Sequence, residues 1–120
     1  SNQVTAFAAG IGITPIRAML DELPMEASAT LLYRVSSEES APLKSELESL
    51  ALEKNIKLVF LAGSRTNHPM TLEYIQQFAP NIADSDIYVC GPHAFMEEVI
   101  KFSISVGVPA NRIHHESFAF

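Results

Sequence analysis

An α/β fold built on a doubly wound, mostly parallel five-stranded sheet is the fold class this sequence predicts, and three observations predict it. Apolar runs of strand length alternate with helical stripes in the order β-α-β-α-β-α-β-α-β. The first, third and fourth strand runs are nearly continuous in apolar residues, as strands covered on both faces should be. The chain has 120 residues, 48% hydrophobic and 18% charged, which is the size and composition of one domain with a real core.

Each element follows in order. Val4 to Ala9 reads as the first strand. Ile16, Met19, Leu20 and Leu23 fall at i, i+3, i+4 and i+7, one face of a helix that Pro24 ends. Ala29–Val35, "ATLLYRV", is a second strand, followed by the polar connection "SSEESAP". Leu43, Leu47 and Leu50 mark a second helix, with Pro42 admissible in its first turn. Ile56–Gly63 is a third strand, and "SRTNHP" a loop. Leu72, Ile75 and Ala79 give a short third helix closed by Pro80. Asp86–Pro92, "DIYVCGP", is a fourth strand. Phe95, Met96, Val99, Ile100 and Ser103 share a face of a fourth helix ending near Gly107, and Arg112–Phe118 is a fifth strand. Right-handed crossovers then place helices on both faces, a Rossmann-like three-layer α/β/α arrangement.

No repeats, low-complexity tracts or linkers interrupt the pattern, so residues 1–120 read as one domain. The net charge of −6 argues against nucleic acid and anionic membrane surfaces as partners, while leaving room for a local basic pocket. The single cysteine, Cys90, allows no internal disulfide and suits a reducing compartment. There is no signal peptide and no apolar run of roughly 18 residues. The first strand starts almost at once, so the chain is expected to be cut at a domain boundary.

Sheets of this kind bind ligands beyond the carboxyl ends of their strands, where strand order reverses. Four tips therefore matter. The first reads Gly10-Ile11-Gly12-Ile13-Thr14-Pro15. Glycines let backbone N–H groups approach an anion, and the helix N-terminus behind them carries partial positive charge. Thr14 can cap that helix or donate to a phosphate, and Pro15 suits a first turn. A dinucleotide fingerprint wants a third glycine where Pro15 stands, and an acidic residue about 20 residues on. The second tip, Tyr33-Arg34-Val35-Ser36-Ser37, has no such acid. A tight turn needing glycine only for geometry would look the same. At the third tip, Ser64-Arg65 can hold a phosphate dianion through charge-assisted hydrogen bonds, though an exposed loop arginine is the commoner case. At the fourth, Cys90 precedes Gly91-Pro92 with nothing basic beside it in sequence, so packing is favoured over nucleophilic chemistry. His114 and His115 are adjacent on a strand and point to opposite faces, so no metal site is expected.

Together these tips resemble the nucleotide-binding domain of the ferredoxin–NADP reductase superfamily, over nearly the whole chain. "GIGITPI" at 10–16 is similar to its pyrophosphate turn, "LLYR" at 31–34 to its second strand tip, and "CGP" at 90–92 with "IHHESF" at 113–118 to its closing block. The ordered set looks closest to bacterial ferric-reductase-like flavoprotein oxidoreductases. The resemblance implies that Gly10, Gly12, Ile13, Thr14 and Pro15 cradle the pyrophosphate of NADPH or NADH. It implies that Ser64 and Arg65 hold the 2′-phosphate, which favours NADPH, with Arg34 assisting at that phosphate or at the ribose. Cys90, Gly91 and Pro92 then lie beside the nicotinamide, with Cys90 and Glu116 as the groups tuning the ring. Phe118 stands where many members carry tyrosine, and Ala119-Phe120 follow it, so both Phe118 and Phe120 are candidates for the ring facing the flavin.

The family pairs this domain with an FAD-binding β-barrel, usually upstream, and no all-β segment precedes Val4. The chain is thus expected to be the donor-binding half of an oxidoreductase passing electrons from NADPH to FAD and on to ferric iron or haem. An upstream membrane haem segment is a further expected partner. That places the domain on the cytoplasmic side, as the soluble part of an inner-membrane protein. Two other readings compete. A self-contained dehydrogenase needs a substrate domain or a Tyr/Lys pair, and residues 37, 78 and 92, four after each tyrosine, are Ser, Phe and Pro. A non-enzymatic flavodoxin-like module would bind FMN alone; a receiver would need an aspartate where Ala62-Gly63-Ser64 stand.

Overall fold

The first strand lies at the centre of the sheet. A computed structural model describes residues 3–63 and 71–118, with the side chains at 72 and 116–118 outside that description. The elements are β1 (Gln3–Ala9), α1 (Ile13–Asp21), β2 (Ser28–Val35), α2 (Lys44–Glu53), β3 (Ile56–Ala62), α3 (Leu72–Gln76), β4 (Asp86–Pro92), α4 (His93–Ser105) and β5 (Ile113–Phe118). The strand order is β3-β2-β1-β4-β5, and every pairing is parallel. The expected mostly parallel sheet is therefore wholly parallel among the described residues.

Alternation along β1 splits the core in two. Phe7 and Ala9 face α3 and α4, packing with Leu32, Leu61, Val89, Val99 and Phe102. Val4, Ala6 and Ala8 face α1 and α2, with Ile16, Leu20, Leu31, Tyr33 and Leu50. Every residue from Val4 to Ala9 is buried, which explains the unbroken apolar run. A fully buried side chain such as Phe7 contributes about 1.5–3 kcal/mol relative to exposure. One buried polar pair ties β1 to the turn before β4. The Ser85 hydroxyl donates to the Ile82 carbonyl at 2.8 Å. Its only proton being used, the Thr5 hydroxyl at 2.9 Å must be the donor between the two side chains.

Several boundaries differ from the sequence expectation, those at the starts of β1, β2 and β5 by one residue. Pro42 does not sit in the first turn of α2, because Leu43 at φ 62 is left-handed and the helix starts only at Lys44. The Tyr33 hydroxyl holds this bend by donating to the Pro42 carbonyl at 3.1 Å. Burial pushes the Tyr33 phenol above its ordinary value of 10.0, so it stays a neutral donor. Strand β3 stops at Ala62 rather than Gly63, since Gly63 turns to φ 105. Helix α3 ends at Gln76, and tighter turns carry the chain to Ala79, whose N–H donates to the Ile75 carbonyl at 2.9 Å. Helix α1 ends at Asp21, so Leu23 falls outside it although the sequence predicts Pro24 as the stop; Lys54 Nζ donates to the carbonyls of Asp21 and Leu23 and so caps the helix C-terminus with positive charge.

Candidate functional site

Strand order reverses at β1, with β2 on one side and β4 on the other. Two glycine-bearing tips meet there, and each glycine is needed for a different reason. Ala9 is extended, and Gly10 then takes φ +59 with open space around it, so its role is conformational. Gly12 has an ordinary helical φ of −60. A Cβ on it would lie 2.1 Å from the Cys90 carbonyl oxygen and 2.4 Å from its carbon. Gly12 therefore supplies the close packing of helix on strand that a third fingerprint glycine would have given. Gly91 completes the junction: a Cβ there would meet Phe95 Cδ2 at 3.0 Å and the Ala9 carbonyl at 3.2 Å.

The turn Gly10–Gly12 is a 3-10 segment running directly into α1. Its first N–H groups precede any carbonyl that the helix can offer them, which leaves an anion-seeking end at the crevice. The Ile13 side chain is 1% exposed in the α1 core, and its N–H donates to the Gly10 carbonyl. Thr14 is not the cap, since Gly12 holds that position without a side-chain bond. Thr14 is instead exposed in the first turn of α1, beside a half-buried Pro15.

Beside the turn, a cleft of about 390 Å³ opens over the carboxyl ends of β1, β2 and β3. Gly10, Tyr33, Arg34, Ser36, Ser37, Ser40 and Gly63 are among its walls. The Ser37 and Ser40 hydroxyls are 2.6 Å apart. Arg34 leans toward α4, its guanidinium 5.9 Å from the centre of the Phe95 ring and Nη1 3.8 Å from Glu98 Oε1. Ser64, Arg65 and Phe120 lie outside the described residues; the described chain reaches Gly63 on the cleft wall.

At the other side of the crevice, the register sets Cys90 opposite Glu116 and Pro92 opposite Phe118. Sequence reasoning placed Cys90 and Glu116 together, and their backbones are neighbours. Cys90 is 2% exposed, packed in the α1-side core and lining a cavity of about 170 Å³ with Pro15, Met19, Tyr88 and His114. Pro92 is the residue before α4 and fixes the turn from β4 into that helix. His114 stacks on Tyr88 at 4.5 Å and approaches Asp86 Oδ1 at 3.9 Å. Among the described residues no cluster of three metal-ligating side chains occurs. Another cavity, about 190 Å³, sits at the amino ends of the strands near Gln3, Ser28 and Asn55, far from the glycine tips.

Sequence reasoning missed five contributors. Ser36, Ser37 and Ser40 were part of a polar connection, although they follow directly on a strand tip, which was the available signal. Glu98 and Phe95 reach the β2 tip from α4, and no spacing in the sequence announces that contact.

The chain matches, over residues 7–101, a family model described as the oxidoreductase NAD-binding domain. It is 34% identical over 113 residues to vanillate O-demethylase oxidoreductase of Pseudomonas putida, covering 94% of this chain and 35% of that protein. It is 29% identical over 124 residues to flavohemoprotein A of Dictyostelium discoideum, covering 98% of this chain and 31% of that protein. The chain thus spans about a third of the length of these curated relatives. Among solved structures, the flavohem-like FAD/NAD-binding domain of nitric oxide dioxygenase from Vibrio cholerae superposes with a TM-score of 0.72 at 27% identity, over 96% of this chain and 50% of that one.

Proposed function

The chain belongs to the oxidoreductase NAD-binding domain family, and from that premise we propose that it is the nicotinamide-nucleotide-binding module of a flavin-dependent oxidoreductase. The observation that carries the proposal is Gly12 locked against the Cys90 carbonyl, which fixes a helix N-terminus in the crevice where strand order reverses.

The site fits such a ligand. Its cleft of about 390 Å³ falls within the range of about 300–1,000 Å³ usual for small-molecule sites. The N–H groups of Gly10 and Ile11 and the hydroxyl of Thr14 would hold the pyrophosphate. The wall of Arg34, Ser36 and Ser37, with Ser64 and Arg65, would take the adenosine side and its 2′-phosphate. Cys90, Gly91, Pro92 and Glu116 would flank the nicotinamide, and Phe118 or Phe120 would face the flavin. When bound, the nicotinamide supplies a hydride; the residues of this chain orient it and exclude water.

In this reading the acceptor is FAD on a separate barrel of the same polypeptide, and the onward acceptor is haem or an iron centre, as the flavohemoprotein likeness suggests. The narrower ferric-reductase assignment and a membrane-embedded haem partner draw no support from these relatives. Among the described residues no helix is long and apolar enough to cross a membrane. A cytoplasmic location is the one this reading takes, on the need for reduced nicotinamide nucleotide; a lone buried cysteine is compatible with it. The flavodoxin-like alternative is not favoured, because the matching family and relatives are reductases.

Titration of the full polypeptide with NADPH and NADH tests this reading. Saturable binding of both, tighter for NADPH, is expected. No binding of either at millimolar concentration would overturn it.

A further inference from the structure

The β2 tip has no acidic residue in sequence, yet the fold brings one to it. Arg34 is the second-last residue of β2 and lines the cleft. Its side chain, 14% exposed, lies over Phe95, and its Nη1 is 3.8 Å from the Glu98 carboxylate, itself 28% exposed. Arg34 alone of the three lines the cleft where the adenosine side is proposed to bind, while Phe95 and Glu98 meet its guanidinium from α4; the inference rests on that reading.

We infer that Glu98 is a specificity-determining residue that lowers the cleft's preference for a 2′-phosphorylated nucleotide by competing for the Arg34 guanidinium. A carboxylate 3.8 Å away offsets part of the arginine's field at the cleft. An incoming phosphate dianion must either draw Arg34 away from Glu98 or accept the repulsion of the carboxylate behind it. An unphosphorylated ribose meets neither penalty. The Phe95 ring, its centre 5.9 Å from the guanidinium, adds a cation–π contact on the same side. The neighbouring Glu97 is not part of the device: it pairs with His93 at 2.9 Å on the exposed side of α4. Glu98 thus acts through Arg34 as a positioning residue rather than by touching the cofactor.

The probes are 2′-phospho-AMP and AMP, measured by calorimetry on the full polypeptide. Glu98→Gln keeps the shape of the side chain and removes its charge. It should raise the affinity ratio of 2′-phospho-AMP over AMP by about three- to tenfold. In an Arg34→Gln background the same substitution should leave the ratio within about twofold, the coupling expected of residues that act as a pair. If both probes bind and Glu98→Gln leaves the ratio unchanged, the inference fails while the nucleotide site stands. An undiminished effect without Arg34 would overturn the route through that arginine. Failure of both probes to bind the parent protein would overturn the site and the inference together.

Discussion

Gly12→Ala should cost about 3 kcal/mol or more of stability, at the upper end of what overpacking does. It should also weaken NADPH binding by at least about tenfold, since a turn misplaced by an ångström loses its aligned donors. The added methyl would stand 2.1 Å from the Cys90 carbonyl oxygen, 2.4 Å from its carbon and 2.8 Å from the Gly91 nitrogen. All three are backbone atoms of a central strand, so no side chain can rotate aside. Either α1 lifts from β4 or the β4 tip moves, and both displace the crevice. For a chain of this size the loss corresponds to a fall in Tm of about 10–15 °C. Gly10→Ala is the control. Its Cβ would meet nothing within 4 Å, so only the positive φ of 59° is penalised, at about 1 kcal/mol. Thermal melts and titrations of the two variants separate space from conformation.

Arg65→Ala should weaken NADPH by about 10- to 100-fold, the size of a lost charge-assisted hydrogen-bond set. NADH should change by less than about twofold, because the two cofactors differ only at the 2′-phosphate. The Ser64-Arg65 pair follows the third strand in sequence, the β2 tip carries no acid in sequence, and Gly63 lies on the cleft wall. Steady-state KM values for both donors, with kcat followed separately, check it. Equal loss for the two would remove the 2′-phosphate assignment.

The two effects differ in how far the sequence could announce them. The sheet was legible because β1 and β4 are buried on both faces and read as apolar runs, and α4 because its core side chains recur at helical spacing. The start of α2 was not, because Leu43 adopts a left-handed conformation that nothing in its side chain signals. At the site, the glycines marked the right turn, but the reason for Gly12 lies in a carbonyl far along the chain. Ile13 was assigned to the cradle by position in a motif. Its spacing to Ile16 and Leu20, at i+3 and i+7, already placed its side chain on the buried face. Glu98 was invisible for the opposite reason: its partner Arg34 is on another element, and only the packing of α4 over the β2 tip joins them.

The most direct measurement concerns where the nucleotide sits. Backbone amide resonances of the isotope-labelled protein, followed during NADPH addition, should shift most at Gly10, Ile11 and Gly12, then at Arg34, Ser36 and Ser37. Shifts confined to the amino-end cavity around Ser28 and Asn55, with the glycine turn unmoved, would contradict a pyrophosphate site at the N-terminus of α1.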